Sequence, residues 1–199
     1  MQKITLLLSS FLLSTSVAMA DAPILFKPPA SGAPTTQRGG GTRGSSANAV
    51  SIQALVPKEH IALTTQEAPT LYWSISQAAP YSVEFSLTVE STGETLVEET
   101  LPPVTQPGIQ SVKLVAFNAK LQEGITYLWS IALVVDPSDR SKDILMSTPI
   151  RREHTTIDIN DPAQLAQAGF WYDTLQYMSE KKSPQVPALL TQVGITLDK

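Results

Sequence analysis

From Val50 onward, short apolar runs alternate with turn residues, and the alternation has a strand's period. Val83, Phe85, Leu87 and Val89 alternate with Ser82, Glu84, Ser86, Thr88 and Glu90, the two-residue repeat of a strand with one buried face. Thr92-Gly93 predicts a hairpin turn into a further strand over Glu94 to Leu101. Tyr127, Trp129, Ile131, Leu133 and Val135 repeat the pattern in the longest predicted strand. Val50 to Val56 closed by Pro57, Leu71 to Ile75 opened by Pro69, Ile109 to Val115 after Pro107-Gly108, and Ile144 to Ile150 complete a set of seven. Short strands cut by close turns predict a mainly β fold, an antiparallel β-sandwich spanning 49–153.

One short string narrows that architecture. Leu121-Gln122-Glu123-Gly124-Ile125-Thr126-Tyr127 spaces Leu, Gly and Tyr as in a tyrosine corner. It resembles the corner of immunoglobulin and fibronectin-like sandwiches, in which the tyrosine hydroxyl returns to upstream backbone. Tyr127 and Trp129 share a face and are expected in the core. The rarer alternative for such an indole is an exposed sugar-stacking platform.

The period changes again near the C-terminus. Asn160-Asp161-Pro162 predicts a capped helix start, because proline in the first turn gives up an amide that has no helical partner. Leu165, Ala168, Trp171 or Tyr172, Leu175 and Met178 recur at helical spacing, with Gly169 inside the run. Glycine there costs ~1 kcal/mol relative to alanine, so a close approach to the sandwich or the next helix is expected. Pro187 to Val193, closed by Gly194, predicts a second helix, making an α-helical hairpin over 160–196 packed on the sandwich. Neighbours on a helix lie ~100° apart, so Phe170, Trp171 and Tyr172 do not share one face. Trp171 is expected to be buried, with Tyr172 at the edge and its hydroxyl within reach of solvent.

The first residues read as an address. Lys3, the apolar stretch Ile4 to Leu13 and the small-residue pattern Ala18-Met19-Ala20 predict a signal peptide over 1–20, cleaved near Ala20. Ile4 to Met19 falls short of the ~20 apolar residues that span a bilayer. No other run in the mature chain approaches that length, so a periplasmic or extracellular product is expected. Asp21 to Asn48 then holds four prolines and five glycines, a composition too poor in apolar area to order itself. At its centre stands Arg38-Gly39-Gly40-Gly41-Thr42-Arg43-Gly44. A flexible linker and an anion-binding nest flanked by Arg38 and Arg43 both remain open. We expect the string to lie against the folded body, with its arginines drawn to Asp136 and Asp139.

Composition removes several functions. Fourteen Lys and Arg against eighteen Asp and Glu, a net charge of −4, argue against nucleic acid, whose binders present a basic face. Zero cysteines exclude thiol catalysis, thiolate metal sites and disulfides, and two histidines leave little for a triad or zinc site. No nucleotide fingerprint or Ser-His-Asp order is present, so no catalytic residue, cofactor or metal is assigned. The bend Asp136-Pro137-Ser138-Asp139-Arg140, with Asp143, has oxygen ligands suited to Ca²⁺ but not the spacing of a calcium-hand loop. The structural alternative has Asp136 capping turn amides and Arg140 paired with Asp139 or Asp143.

These readings point to an exported, non-catalytic interaction module whose partner is an envelope protein. The alternatives are a carbohydrate-binding module using Trp73 or Trp171, and a hydrolase centred on the Asp136 to Asp143 bend.

Five separated strings occur in order: Phe26-Lys27-Pro28-Pro29, Arg38 to Gly44, Ala54-Leu55-Val56-Pro57, Asp136-Pro137-Ser138-Asp139-Arg140-Ser141 and Ala168-Gly169-Phe170-Trp171-Tyr172-Asp173-Thr174-Leu175. Together they resemble a bacterial family, chiefly cyanobacterial, known as domain of unknown function 928, over Phe26 to Ile195. Many members carry a cysteine immediately before the Asp-Pro pair, where this chain has Val135. The resemblance implies no activity. It does imply that the glycine-rich string is a feature of the fold, placed where only bare backbone fits.

Overall fold

The structure is a computed structural model that describes residues 22–29, the backbone of 38–39, and residues 50–197. The signal segment expected over 1–20 lies outside the described residues, as do Gly40, Gly41 and Arg43.

The described chain is mainly β, with two sheets followed by short helices. Its elements in order are β1 (Arg38–Gly39), β2 (Ile52–Ala54), β3 (Ala62–Thr64), β4 (Thr70–Ile75), β5 (Ser82–Val89), β6 (Thr95–Leu101), β7 (Gly108–Lys113), β8 (Thr126–Val134), β9 (Ile144–Arg152), α1 (Pro162–Gln167), α2 (Trp171–Glu180) and α3 (Val186–Gln192). The larger sheet runs β1-β9-β8-β5-β6, with β3 also on β9, and the smaller runs β2-β4-β7. The outer side of β9 is shared: β1 pairs antiparallel at Met146 and Ser147, and β3 pairs parallel at Ile150 to Arg152.

Alternation places the core between the sheets. Leu71, Trp73 and Ile75 of β4 join Phe85 and Leu87 of β5 and Trp129, Ile131 and Leu133 of β8 in one buried cluster. Each such side chain contributes ~1.5–3 kcal/mol on leaving water. At the β6–β5 hairpin, Gly93 adopts φ +73°, as the predicted turn requires. The expected strand over Ile109 to Val115 ends at Lys113, where a 3₁₀ turn over Leu114–Phe117 replaces it.

The tail departs from expectation in one respect. Asp161 caps α1 as predicted, accepting from the amides of Ala163 at 3.1 Å and Gln164 at 3.0 Å. The helix does not run through Gly169: α1 stops at Gln167 and α2 restarts at Trp171. Gly169 stands between them at φ +86°, a conformation that L side chains rarely adopt, and a Cβ there would lie 2.9 Å from Pro29 Cδ. The close approach is real, but its partner is the N-terminal segment rather than the sheets or another helix.

That segment is the second departure. Residues 22–29 form an extended strap across the helices. The amide side chain of Gln192 reads its backbone at both ends, accepting from the Phe26 N–H at 2.8 Å and donating to the Ile24 carbonyl at 2.9 Å. Gln185 accepts from the Ile24 amide at 3.2 Å, Gln167 donates to the Leu25 carbonyl at 3.0 Å, and the Lys27 amide donates to the Ala166 carbonyl at 3.0 Å. The Phe26 ring packs edge-on against Trp171, centroids 4.9 Å apart, and stacks on His60 at 5.7 Å. Composition predicts a disordered leader here because the partners that order it lie more than a hundred residues away.

Among the described residues, no helix is long and apolar enough to cross a membrane.

Candidate functional site

The residues singled out in the sequence fall into three places. Tyr127 forms the expected corner: it is buried, and its hydroxyl accepts from the Gln122 amide at 3.0 Å. Trp129 and Trp171 are fully buried, their indoles donating to the Tyr172 hydroxyl at 2.8 Å and to the Leu55 carbonyl at 2.7 Å. Tyr172 is therefore not at an edge. It is 1% exposed, because it closes the layer between α2 and β8, and burial pushes its hydroxyl pKa up. Trp73 is also buried, at 2% exposure, so none of the three indoles offers a face for sugar stacking.

Most polar groups of the Asp136 to Asp143 bend pair within it, although Asp143 Oδ1 is buried without a partner. Asp136 accepts from the Ser138 amide and hydroxyl at 3.0 and 2.6 Å and pairs with Lys142 at 2.9 Å. Asp139 accepts from the Ser141 hydroxyl at 2.6 Å and pairs with the same lysine at 3.2 Å. These bonds hold both carboxyls below their ordinary pKa, the serine hydroxyls first and Lys142 second. Arg140 pairs with Asp143 at 2.6 Å and reaches across to Glu84, a partner the sequence did not suggest. Among the described residues, no group of three His, Asp or Glu side chains is placed to hold a metal ion.

The backbone of Arg38 and Gly39 is brought to the large sheet, on β9. Arg38 occupies the register position opposite Ser147, in the row Glu98, Ser86, Ser130, Ser147 that crosses four strands. Beside this row, Arg140, Asp143 and Glu84 wall a shallow hollow of about 350 Å³ floored by Ser86, Ser130 and Ala132.

A larger concavity than this hollow lies elsewhere. The connection from β6 to β7 carries the chain from one sheet to the other through Pro102, Pro103 and Pro107, which have no N–H to give. It is anchored by the Ala79 amide, which donates to the Val104 carbonyl at 3.0 Å. Between this connection and β7 is an open groove of about 590 Å³. Four consecutive β7 residues, Ile109 to Val112, line it, so the edge of the strand faces the groove as well as its sides. Trp73 and Val83 form its buried floor.

Two features set this groove apart. None of its lining residues is charged or is a histidine. The Trp73 Nε1–H is buried and has no acceptor, unlike those of Trp129 and Trp171. An unpaired buried donor costs ~1–3 kcal/mol. Trp73 was legible as a candidate, but for stacking. The cluster of prolines before β7 was the signal that a strand edge would be left open.

Neither a curated protein nor a solved structure matches this chain. A family model does match, over residues 38–196, from β1 through α3 and short of the strap. The chain belongs to the family defined by the Domain of Unknown Function DUF928.

Proposed function

We propose that this protein is an exported, non-catalytic interaction module of the cell envelope that holds a partner protein in the groove between β6 and β7. The observation that carries the reading is the groove itself, uncharged and bounded by an open strand edge over a buried indole donor. Export is supported by Lys3, the Ile4 to Leu13 stretch and Ala18-Met19-Ala20.

The same reading takes the two sheets as an immunoglobulin-like sandwich capped by helices. Its supports are β2 and β3, an early segment split between the two sheets, the parallel pairing of β3 with β9, and the Tyr127 corner. Sandwiches of this kind present edges and loops to partners while the core stays closed.

The test places a photo-crosslinker at exposed Thr105 on the groove wall and exposes the mature chain to its own envelope fraction. A discrete crosslinked protein, lost when Ser111→Arg fills the groove without changing the urea midpoint, is the expected result. Crosslinking that Ser111→Arg leaves untouched overturns the groove as the binding surface.

A further inference from the structure

We infer that the occupant of this groove is an extended peptide segment of the partner, lying along β7 as an added strand with a carbonyl directed to Trp73 Nε1. The inference rests on the interaction reading above and names the chemistry of its partner.

The argument begins with the strand edge. In the three-stranded sheet β7 pairs only with β4, through six register pairs from Thr70↔Lys113 to Ile75↔Gly108. Alternate N–H and C=O groups along its other side have no ladder partner among the described strands. A six-residue edge is ~20 Å long, enough to hold several residues of an added strand. Among the described residues, no segment pairs with this edge. The segment nearest to it carries Pro102, Pro103 and Pro107 and is turned inward by the bond between Ala79 and Val104.

The groove then selects for peptide over other ligands. Main-chain pairing supplies affinity in strand addition, and side-chain pockets supply specificity. Here Leu101, Val104 and Val112 supply apolar wall among the uncharged polar side chains of Thr105, Gln106, Gln110 and Ser111, and exposed Ile109 at the rim offers contact to an apolar residue. No charge is present to fix a phosphate, carboxylate or ammonium, and no exposed indole is present to stack a sugar. Among the groove's lining residues, the buried side-chain atom without a partner is a donor, Trp73 Nε1, and a peptide carbonyl is the acceptor an added strand brings. Nε1 is buried, so the inference requires the Pro102 to Pro107 wall to yield before the carbonyl reaches it.

The experiment pans a random-peptide phage library against the mature chain and titrates the selected synthetic peptide into ¹⁵N-labelled protein. The three indole N–H resonances separate the sites, since Trp129 and Trp171 already have acceptors. The expected result is a shift of the Trp73 indole and of β7 amides, with the other two indoles unmoved. Trp73→Phe, which keeps a ring and removes the donor, weakens binding by roughly tenfold, the scale of one buried hydrogen bond. Methylating alternate peptide amides abolishes binding in one parity and spares it in the other, a readout that needs no change to the protein. A library that yields no binder, a peptide that leaves Trp73 and β7 unmoved, or equal tolerance of both methylation patterns overturns the inference. If crosslinking at Thr105 persists in those cases, the interaction reading stands without the added strand. If crosslinking is absent too, both fall.

Discussion

The Nε1–H of Trp129 donates to the hydroxyl of Tyr172 at 2.8 Å, and both side chains are buried. This bond ties the longest predicted strand to the helix that follows Gly169. Three more bonds seat the same stretch: Trp171 Nε1 on the Leu55 carbonyl, the Thr65 amide on Asp173 at 3.0 Å, and the Thr70 amide on Gln176 at 3.0 Å. The stretch from Trp171 to Gln176 is therefore the piece that fastens the helices to both sheets.

Tyr172→Phe strands the Trp129 donor in a dry interior and should destabilise the protein by about 1–3 kcal/mol in urea melts. Combining it with Trp129→Phe should cost less than the two single changes summed, because the orphaned donor is gone. Strict additivity would show that the bond contributes nothing.

Tyr127→Phe removes the acceptor of the Gln122 amide and should lower stability by roughly 1–2 kcal/mol. The readout is the urea midpoint at unchanged slope. Peptide or partner binding should persist wherever the fold does, since β7 lies in the other sheet from Tyr127.

Gln192→Ala should release the strap while leaving the helices folded, at a cost of ~1 kcal/mol. Hydrogen exchange checks it: the Phe26 amide loses protection, while the Lys27 amide, bonded to Ala166, keeps more. Equal protection in both proteins would mean that the Phe26 ring and the remaining bonds hold the strap without Gln192.

His60 stacks beneath Phe26, and burial lowers its pKa below the usual 6.5, against a smaller opposing pull from Glu59. The folded state then binds fewer protons than the unfolded state in that range, so stability falls as pH drops below about 6.5. Asp173 acts with the opposite sign. Its carboxyl is raised by burial above 3.8, so its contribution is fullest in acid and is lost as pH rises through the folded value. His60→Phe should flatten the neutral limb of a stability-against-pH profile and leave the acid limb intact; an unchanged neutral limb would refute the assignment.

The glycine-rich string and the helical run show where local reading works and where it fails. β5 and β8 were visible because each residue's face follows from its neighbours two positions away, and the Asp161-Pro162 start was visible because a cap is written within one turn. β1 and β3 have two and three residues, too few to carry a period, and exist because β9 offers them an unpaired side. The break at Gly169 looked like a tolerated helical glycine, and only the approach of Pro29 makes its positive φ necessary.

What the chain determined by itself was the mainly β character, the turn positions and the corner tyrosine. These depend on residue type, on period and on contacts a few residues apart. Tertiary structure alone decided that Tyr172 is interior, that the strap is held by Gln192, and that β7 keeps an open edge over the Trp73 indole. Each of these brings together groups far apart in sequence, and pairing and burial across such distances leave no trace in local periodicity.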